Sequence, residues 1–309
     1  FFKQKTAYEI STRDWSSDVC SSDLATGSGI IISDDGYILT NNHIVDTSSS
    51  NSNGYNSYYS VSESNKVTVT LYGDSTEYEA TIVGTDSQTD LAVIKIDKTG
   101  LTPAELGDSD KVQVGEFAMA IGNPLGLDTS VTCGVISATN REITDSDNKT
   151  YTLIQTDAAI NSGNSGGALV NADGKVIGLN TLKISSTGVE GMGFAIPINS
   201  TIDIYQQLIE YNKVKRPYIG ISGVDLDEKT ASANKLVQGI YVKSIDEFSA
   251  AEKAGVKIGD VIVGADGKEI KTMDELNNIK NSHQIGDTLT LKVNRNGKEL
   301  DLTVTLQEQ

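Results

Sequence analysis

Cysteine and histidine are nearly missing from this 309-residue chain: Cys20 and Cys133 are its only thiols, His43 and His283 its only imidazoles. Two thiols exclude a disulfide-framework protein and a cysteine-built zinc site. No cluster of His, Cys and carboxylate residues has metal-ligand spacing and there is no GKS/T phosphate loop, so no metal and no other cofactor is expected. Positive charge is also short, with 25 Lys plus Arg against 42 Asp plus Glu and a net charge of −17. Such a surface repels phosphate, which makes nucleic acid and anionic membrane poor partners, and no nucleic acid is expected. No apolar run approaches the roughly 20 residues that span a bilayer. What is present suffices for a core: 38% of residues are hydrophobic and 29 are glycine. The length fits two domains at about 150 residues each.

Residues 1–24 differ from the rest. They hold the only tryptophan, Trp15, end in a Ser/Asp cluster and show neither a helical nor a strand period. The segment lacks the apolar stretch of a signal peptide and resembles translated sequencing-adapter read-through. A disordered terminus is the alternative. It is expected to lie outside the fold, and the native N-terminus, with any targeting segment, to be missing.

Residues 25–199 read as closely spaced short strands at Gly29–Ile32, Tyr37–Thr40, Val67–Tyr72, Glu77–Val83, Leu91–Ile96, Phe117–Ile121, Val131–Ser137, Leu153–Thr156, Ala168–Val170, Val176–Asn180 and Gly193–Ile198, with turns at Asp35-Gly36 and Asp173-Gly174. Strands at this density without helices between them predict antiparallel barrels or a sandwich. The Ser/Asn/Tyr-rich stretch Thr47–Asn65 reads as a surface loop. Around Asn199–Tyr211 the period becomes helical, with Asn199 or Ser200 as cap and a domain boundary near residue 215, making 200–216 a linker helix. Residues 217–309 mix strands at Tyr218–Ile221, Gly239–Ile245, Val261–Ala265, Thr288–Asn294 and Leu300–Leu306 with helices at Ser249–Ala254 and Thr272–Ser282, a small α+β domain.

The chemistry rests on three separated motifs. In Gly163-Asn164-Ser165-Gly166-Gly167 a serine stands between glycines, where its hydroxyl can be exposed and the backbone can aim N–H groups at a developing oxyanion. A serine nucleophile needs a base and a group to orient that base. His43, at the end of a strand, and Asp90, just before the apolar strand from Leu91, supply the types. Their order, His43, Asp90, Ser165, is that of the chymotrypsin arrangement. The rival α/β-hydrolase order would need His283 as base, but that residue sits in a polar helix end of the other domain, and no crossover helices surround Ser165.

TNNHIVD, TDLAV, GNSGGALVN and GFAIP, with VGEFAMAIGNPLGL and VTCGVISATNR between them, resemble the HtrA/Deg family of serine proteases carrying one PDZ domain. The resemblance covers about residues 25–309. It implies a mostly β chain, with a chymotrypsin-like double β-barrel over 25–199 and a PDZ domain over 217–309. It makes Ser165 the nucleophile, His43 the base and Asp90 its orienter, with Gly163, Asn164 and Ser165 forming the oxyanion hole. It also implies a modest apolar specificity pocket at Ala159, Ile160, Ile184 and Phe194, with Gly188, Gly191 and Gly193 in a loop able to reorder. Ala159 stands where trypsin-like proteases keep an acid, so small aliphatic residues are expected before the cleaved bond. Asp157 reads as structural, and Cys133 as a small buried hydrophobe. In the second domain Tyr218, Ile219, Gly220 and Ile221 resemble the carboxylate-binding loop, with Leu276 and Ile279 as the opposite wall. Implied partners are unfolded or misfolded proteins, C-terminal peptides at the PDZ domain, and two further copies in a homotrimer. The implied compartment is extracytoplasmic and bacterial, with a membrane anchor preceding this chain. A peptide-binding or chaperone-like module with a latent protease domain is the alternative function.

Overall fold

The computed structural model describes residues 8–13, 26–46, 66–123, 130–145, 149–181 and 191–308; for 8–13 and Lys66 it describes backbone alone. The chain divides between Val214 and Lys215 into two units.

In the first unit, alternating and β-branched runs close into two antiparallel barrels. The first is built from β1 (Tyr8–Arg13), β2 (Thr26–Ile31), β3 (Tyr37–Asn41), β4 (Lys66–Thr70), β5 (Glu77–Asp86) and β6 (Leu91–Ile96), ordered β1-β2-β3-β6-β5-β4 around the ring, with the one-turn helix α1 (Asn42–Val45) after β3. The second holds β7 (Phe117–Gly122), β8 (Ser130–Thr144), β9 (Thr150–Thr156), β10 (Ala168–Asn171), β11 (Val176–Thr181) and β12 (Gly193–Pro197), ordered β10-β11-β12-β9-β8-β7. Barrel closure removes sheet edges that would otherwise be left unpaired.

The apolar run Leu91-Ala92-Val93-Ile94 serves two cores because alternate residues face opposite sides of a strand. Ala92, Ile94 and Ile96 join Ile31 and Ile38 inside the first barrel. Leu91 and Val93 join Ile30 and Leu39 in a layer shared with Leu153, Val170, Leu179 and Ile196 of the second. The site lies where that shared layer meets the loop before β10.

Several expectations need correction. Tyr8–Arg13, placed outside the fold by its composition, pairs with β2 (Tyr8 opposite Gly29) and with β4 (Glu9 opposite Thr70), because the ring needs a sixth strand there. The helix read as a linker, α2 (Ile198–Tyr211), begins after Pro197 without a side-chain cap. It packs its Ile198 and Leu208 into the shared layer and so belongs to the first unit. Asn212 then ends it in a left-handed turn, its side-chain amide donating to the Val83 carbonyl at 2.7 Å. Cys133 is exposed rather than buried, since β8 carries it on the same outward face as Val131 and Val135. The Thr47–Asn65 stretch lies outside the described residues; β4 begins immediately after it.

The second unit is a sheet in the order β14-β15-β16-β18-β19, formed by β14 (Ile221–Leu226), β15 (Gly239–Ile245), β16 (Val261–Ala265), β18 (Thr288–Arg295) and β19 (Lys298–Thr305). Short β17 (Lys268–Glu269) pairs with β16, and β13 (Pro217–Tyr218) with β20 (Gln307–Glu308). Three helices complete it: α3 (Glu228–Ala233), which sequence reading missed, α4 (Ala250–Ala254) and α5 (Met273–Asn281). Local chemistry explains their ends. Ser249 caps α4 and left-handed Gly255 stops it, while Thr272 and Glu275 close a capping box on α5.

One ion pair ties the far end of this sheet. Arg295 grips Asp260 through Nε to Oδ1 and Nη2 to Oδ2, both at 2.7 Å, and the Lys257 N–H donates to Oδ2 at 2.8 Å. Burial acts to raise the Asp260 carboxyl, but Arg295 and Lys257 outweigh it and hold it below the usual range. A depressed folded-state value contributes stability that is full above the unfolded value, near 3.9, and is lost as pH falls through the folded one. Asp260→Asn is therefore expected to destabilise the second unit at neutral pH and to flatten its acid limb. Denaturant melts between neutral pH and the acid limb check this.

Candidate active site

Asp90 is held in the left-handed region (φ 59°) at the turn before β6 and is only 2% exposed. That turn points its carboxylate back at α1. The His43 N–H donates to Oδ1 at 3.0 Å, and imidazole Nδ1 lies 3.0 Å from Oδ1 and 2.8 Å from Oδ2. The Asp90 carbonyl in turn accepts from the Asn42 N–H at 3.0 Å and the Asn41 amide at 3.1 Å. His43 thus sits on a helical turn, not on a strand end, and its side chain keeps 27% exposure. With Nδ1 committed to a carboxylate, the other ring nitrogen is left to act as base.

Ser165 lies in a loop whose backbone is held on every side. Asn164 donates its N–H to the Asn161 carbonyl at 3.0 Å, Gly166 to Asn180 at 2.9 Å, and the Ser165 carbonyl accepts from the Ser28 N–H at 2.8 Å. Gly163 has φ 97° and Gly166 φ 80°. A Cβ on Gly166 would stand 2.1 Å from the Ser28 carbonyl oxygen and 2.3 Å from Thr40 Oγ1, so only glycine lets the loop approach the first barrel. The same contacts carry the loop to the His–Asp pair. Thr181, next to the Asn180 that receives Gly166, donates its hydroxyl to Asp90 Oδ2 at 3.4 Å.

Two residues here escaped sequence reasoning, Thr181 and Ser28. Ser28, fully buried on β2, accepts from the Asn123 N–H at 2.8 Å and donates its hydroxyl to the Gly163 carbonyl at 2.7 Å. It thereby fixes the peptide between the two expected oxyanion donors. Among the described residues the Gly163 N–H has no acceptor of its own, as a donor reserved for a reacting oxygen requires. A polar residue flanked by Gly27 and Gly29 in an apolar strand was the available signal. Ser28→Ala is expected to lower kcat about five- to thirtyfold with little change in KM, since one buried hydrogen bond is worth about 1–2 kcal/mol. Steady-state kinetics on a peptide substrate decide it, and a raised KM at constant kcat would refute it.

The expected pocket is only partly assembled. Ala159 is exposed and Ile160 half-buried, and a Cβ on Gly193 would meet Ile160 and the Ala158 carbonyl at 3.0 Å, so Ile160 packs directly against the start of β12. Phe194, 6% exposed, is instead part of the layer between the barrels, because its strand alternation turns it inward. Ile184 and Gly188 lie outside the described residues. Asp157 accepts from the Val135 N–H at 2.7 Å, a structural bond.

In the second unit, Gly220 (φ 83°) breaks the expected strand Tyr218–Ile221 into β13 and β14. The Ile219 and Gly220 carbonyls are taken by the Ala251 and Asp246 N–H groups at 2.8 and 3.0 Å, whereas their own N–H groups find no acceptor among the described residues. Tyr218 donates its hydroxyl to Asp246. Leu276 is buried in the core and Ile279 packs partly against it, so neither is simply a groove wall. His283 pairs with Asp266 at 2.7 Å within the second unit, whereas Ser165 belongs to the first.

Residues 27–179 match a trypsin-like peptidase domain model and residues 217–306 a PDZ domain model. The solved structure of the HtrA-type protease AlgW with a decapeptide superposes at a TM-score of 0.74 with 33% identity, covering 99% of this chain and 95% of that one. The chain belongs to the HtrA family of serine proteases. The serine protease Do-like HtrA of Bacillus subtilis is 42% identical over 92% of this chain, and the periplasmic serine endoprotease DegP of Escherichia coli 39% over 92%. The HtrA chain described here spans 64% and 57% of the lengths of those two relatives.

Proposed function

We propose that this HtrA-family chain is a serine endopeptidase that cleaves unfolded or misfolded proteins outside the cytoplasm and engages exposed C-termini through its PDZ domain. The observation that carries the reading is the buried Asp90 carboxylate gripping His43 Nδ1 at 2.8 Å beside the glycine-bounded Ser165 loop. In the reaction, Ser165 Oγ attacks the scissile carbonyl carbon while His43 Nε2 takes its proton, and Asp90 stabilises the imidazolium that forms. The Gly163 and Ser165 N–H groups receive the oxyanion. The imidazolium then gives the proton to the leaving amine, and a water, deprotonated by the same nitrogen, releases the acyl group. The periplasmic relative DegP supports the compartment, and the decapeptide-bound AlgW supports peptide recognition. A homotrimer is the finer part of the proposal, tested by light scattering.

A fluorophosphonate probe tests the core claim. Labelling of the wild-type chain that disappears in Ser165→Ala supports it, and enhancement by a peptide with a free C-terminus supports coupling to the PDZ domain. No labelling under either condition would overturn the peptidase reading and leave peptide capture as the function.

A further inference from the structure

The second barrel keeps a carboxamide in its apolar interior, beside the Ser165 loop. Asn180, on β11, is fully buried and stands opposite Ala195 of β12. Opposite residues of an antiparallel pair share a face, and Ala195 belongs to the cluster of Ala120, Ile136, Ile154 and Leu169. An aliphatic side chain would be the ordinary occupant of such a position.

Every polar group of Asn180 but one is committed to the loop or to the strands that carry it. Its carbonyl accepts from the Gly166 N–H at 2.9 Å, and its N–H donates to the Gly167 carbonyl at 2.8 Å. Side-chain Nδ2 donates to the Ala168 carbonyl at 3.0 Å, where the loop runs into β10. The same nitrogen reaches the Ile121 carbonyl, near the end of β7, at 3.4 Å. That end of β7 is the surface on which the loop lies. A Cβ on Gly167 would stand 2.1 Å from the Ile121 carbonyl oxygen, and one on Gly122 2.5 Å from Asn164 Oδ1. Asn123, the next residue, gives its N–H to Ser28, the side chain that holds the Gly163 carbonyl. The carboxamide thus joins the strand under the loop to the strand that follows it.

The exception is Asn180 Oδ1, which is buried and accepts no hydrogen bond among the described residues. Turning the amide over would set that oxygen against two carbonyl oxygens, so its orientation is fixed. A buried oxygen left unpaired costs stability and offsets part of what the two donor bonds contribute. Stability is therefore a weak reason for an amide here, and placement of the loop is the stronger one.

We infer that Asn180 is a positioning residue for peptide hydrolysis. Its carboxamide fixes the Ser165 loop so that Oγ and the Gly163 and Ser165 N–H groups stand where attack on the scissile carbonyl requires them. The inference rests on the proposed peptidase activity. The side chain bonds neither His43 nor Asp90 and acts through the backbone of the loop and its neighbouring strands. A displacement of the loop by about 1 Å is enough to cost on the order of a hundredfold in rate.

The test uses the full chain with Asn180→Val, which removes the donor, and Asn180→Thr, which has nearly the same shape as Val and restores one. Fluorophosphonate labelling is followed in time, beside steady-state kinetics on a fluorogenic unfolded substrate and a thermal melt. Asn180→Val is expected to label to the same end-point as the parent but about ten- to a hundredfold more slowly, with kcat reduced in proportion and KM within about twofold. The melting temperature should stay close to that of the parent, and the pH dependence of kcat/KM should keep its shape. Asn180→Thr is expected to fall between Val and the parent. A folded Val or Thr variant that labels at the parental rate would overturn the positioning role, and the Thr variant decides this even where Val fails to fold. So would a lower end-point reached at the parental rate, which means a smaller folded fraction with an intact site. Equal rates in the Val and Thr variants would assign the effect to volume rather than to the donor, and a changed pH profile would place it on the His43–Asp90 pair; either overturns the inference while leaving Ser165 as nucleophile. No labelling of the parent chain would overturn the peptidase reading and this inference with it.

Discussion

Ser165→Ala is expected to lower the turnover of an unfolded protein substrate by about six orders of magnitude, the scale seen when a serine protease loses its nucleophile. The substitution removes one oxygen and leaves the loop's supports in place. The Ser165 carbonyl still accepts from Ser28, Gly166 still donates to Asn180, and Asn164 to Asn161. Folding and peptide capture should therefore persist, with KM close to that of the parent. About 10³–10⁴ of rate enhancement over water should remain, from the oxyanion donors and substrate positioning. Turnover of a fluorogenic unfolded substrate, read beside a thermal melt, checks the claim. An alanine variant that folds normally and keeps a tenth of the parent rate would remove Ser165 from the chemistry.

Asp90→Asn is expected to cost about 10⁴ in kcat, by changing what His43 does rather than where it sits. The Asp90 carboxylate accepts from two His43 donors, the backbone N–H and Nδ1–H, and from the Thr181 hydroxyl. An amide presents one oxygen and one NH₂ to the same donors. The NH₂ can face Nδ1 only if that nitrogen gives up its hydrogen, which moves to the nitrogen that must act as base. Asparagine is the right probe because it tolerates the positive φ of 59° at this turn, whereas alanine would add backbone strain. Unchanged KM and unchanged affinity for C-terminal peptides should accompany the loss. Substantial retained activity would mean that Asp90 holds the loop but not the tautomer.

The candidate site was legible where chemistry requires particular residues in a local pattern. The glycines around Ser165 and the lone histidine of the first unit announced themselves, and the order of the triad separated two fold families. Ser28 and Thr181 were not legible, since each acts on a partner about 90 to 135 positions away. The expected pocket suffered in the opposite way. Phe194 has the character of a pocket residue, but alternation along β12 turns it into the layer between the barrels.

The same division runs through the fold. Strand positions, the capping box at Thr272, the glycine stop at Gly255 and the division near residue 215 follow from local backbone preferences, periodicity and composition, which a sequence carries directly. The entry of Tyr8–Arg13 into the first ring, the outward turn of Cys133 and the burial of Lys280 were decided by tertiary structure alone. Each depends on which distant segment supplies the neighbouring surface: an unpaired barrel edge, the outer face of a long strand, a helix laid along an edge strand. Hydrogen-bond closure and burial act between segments only once the chain has folded, so no local pattern records them.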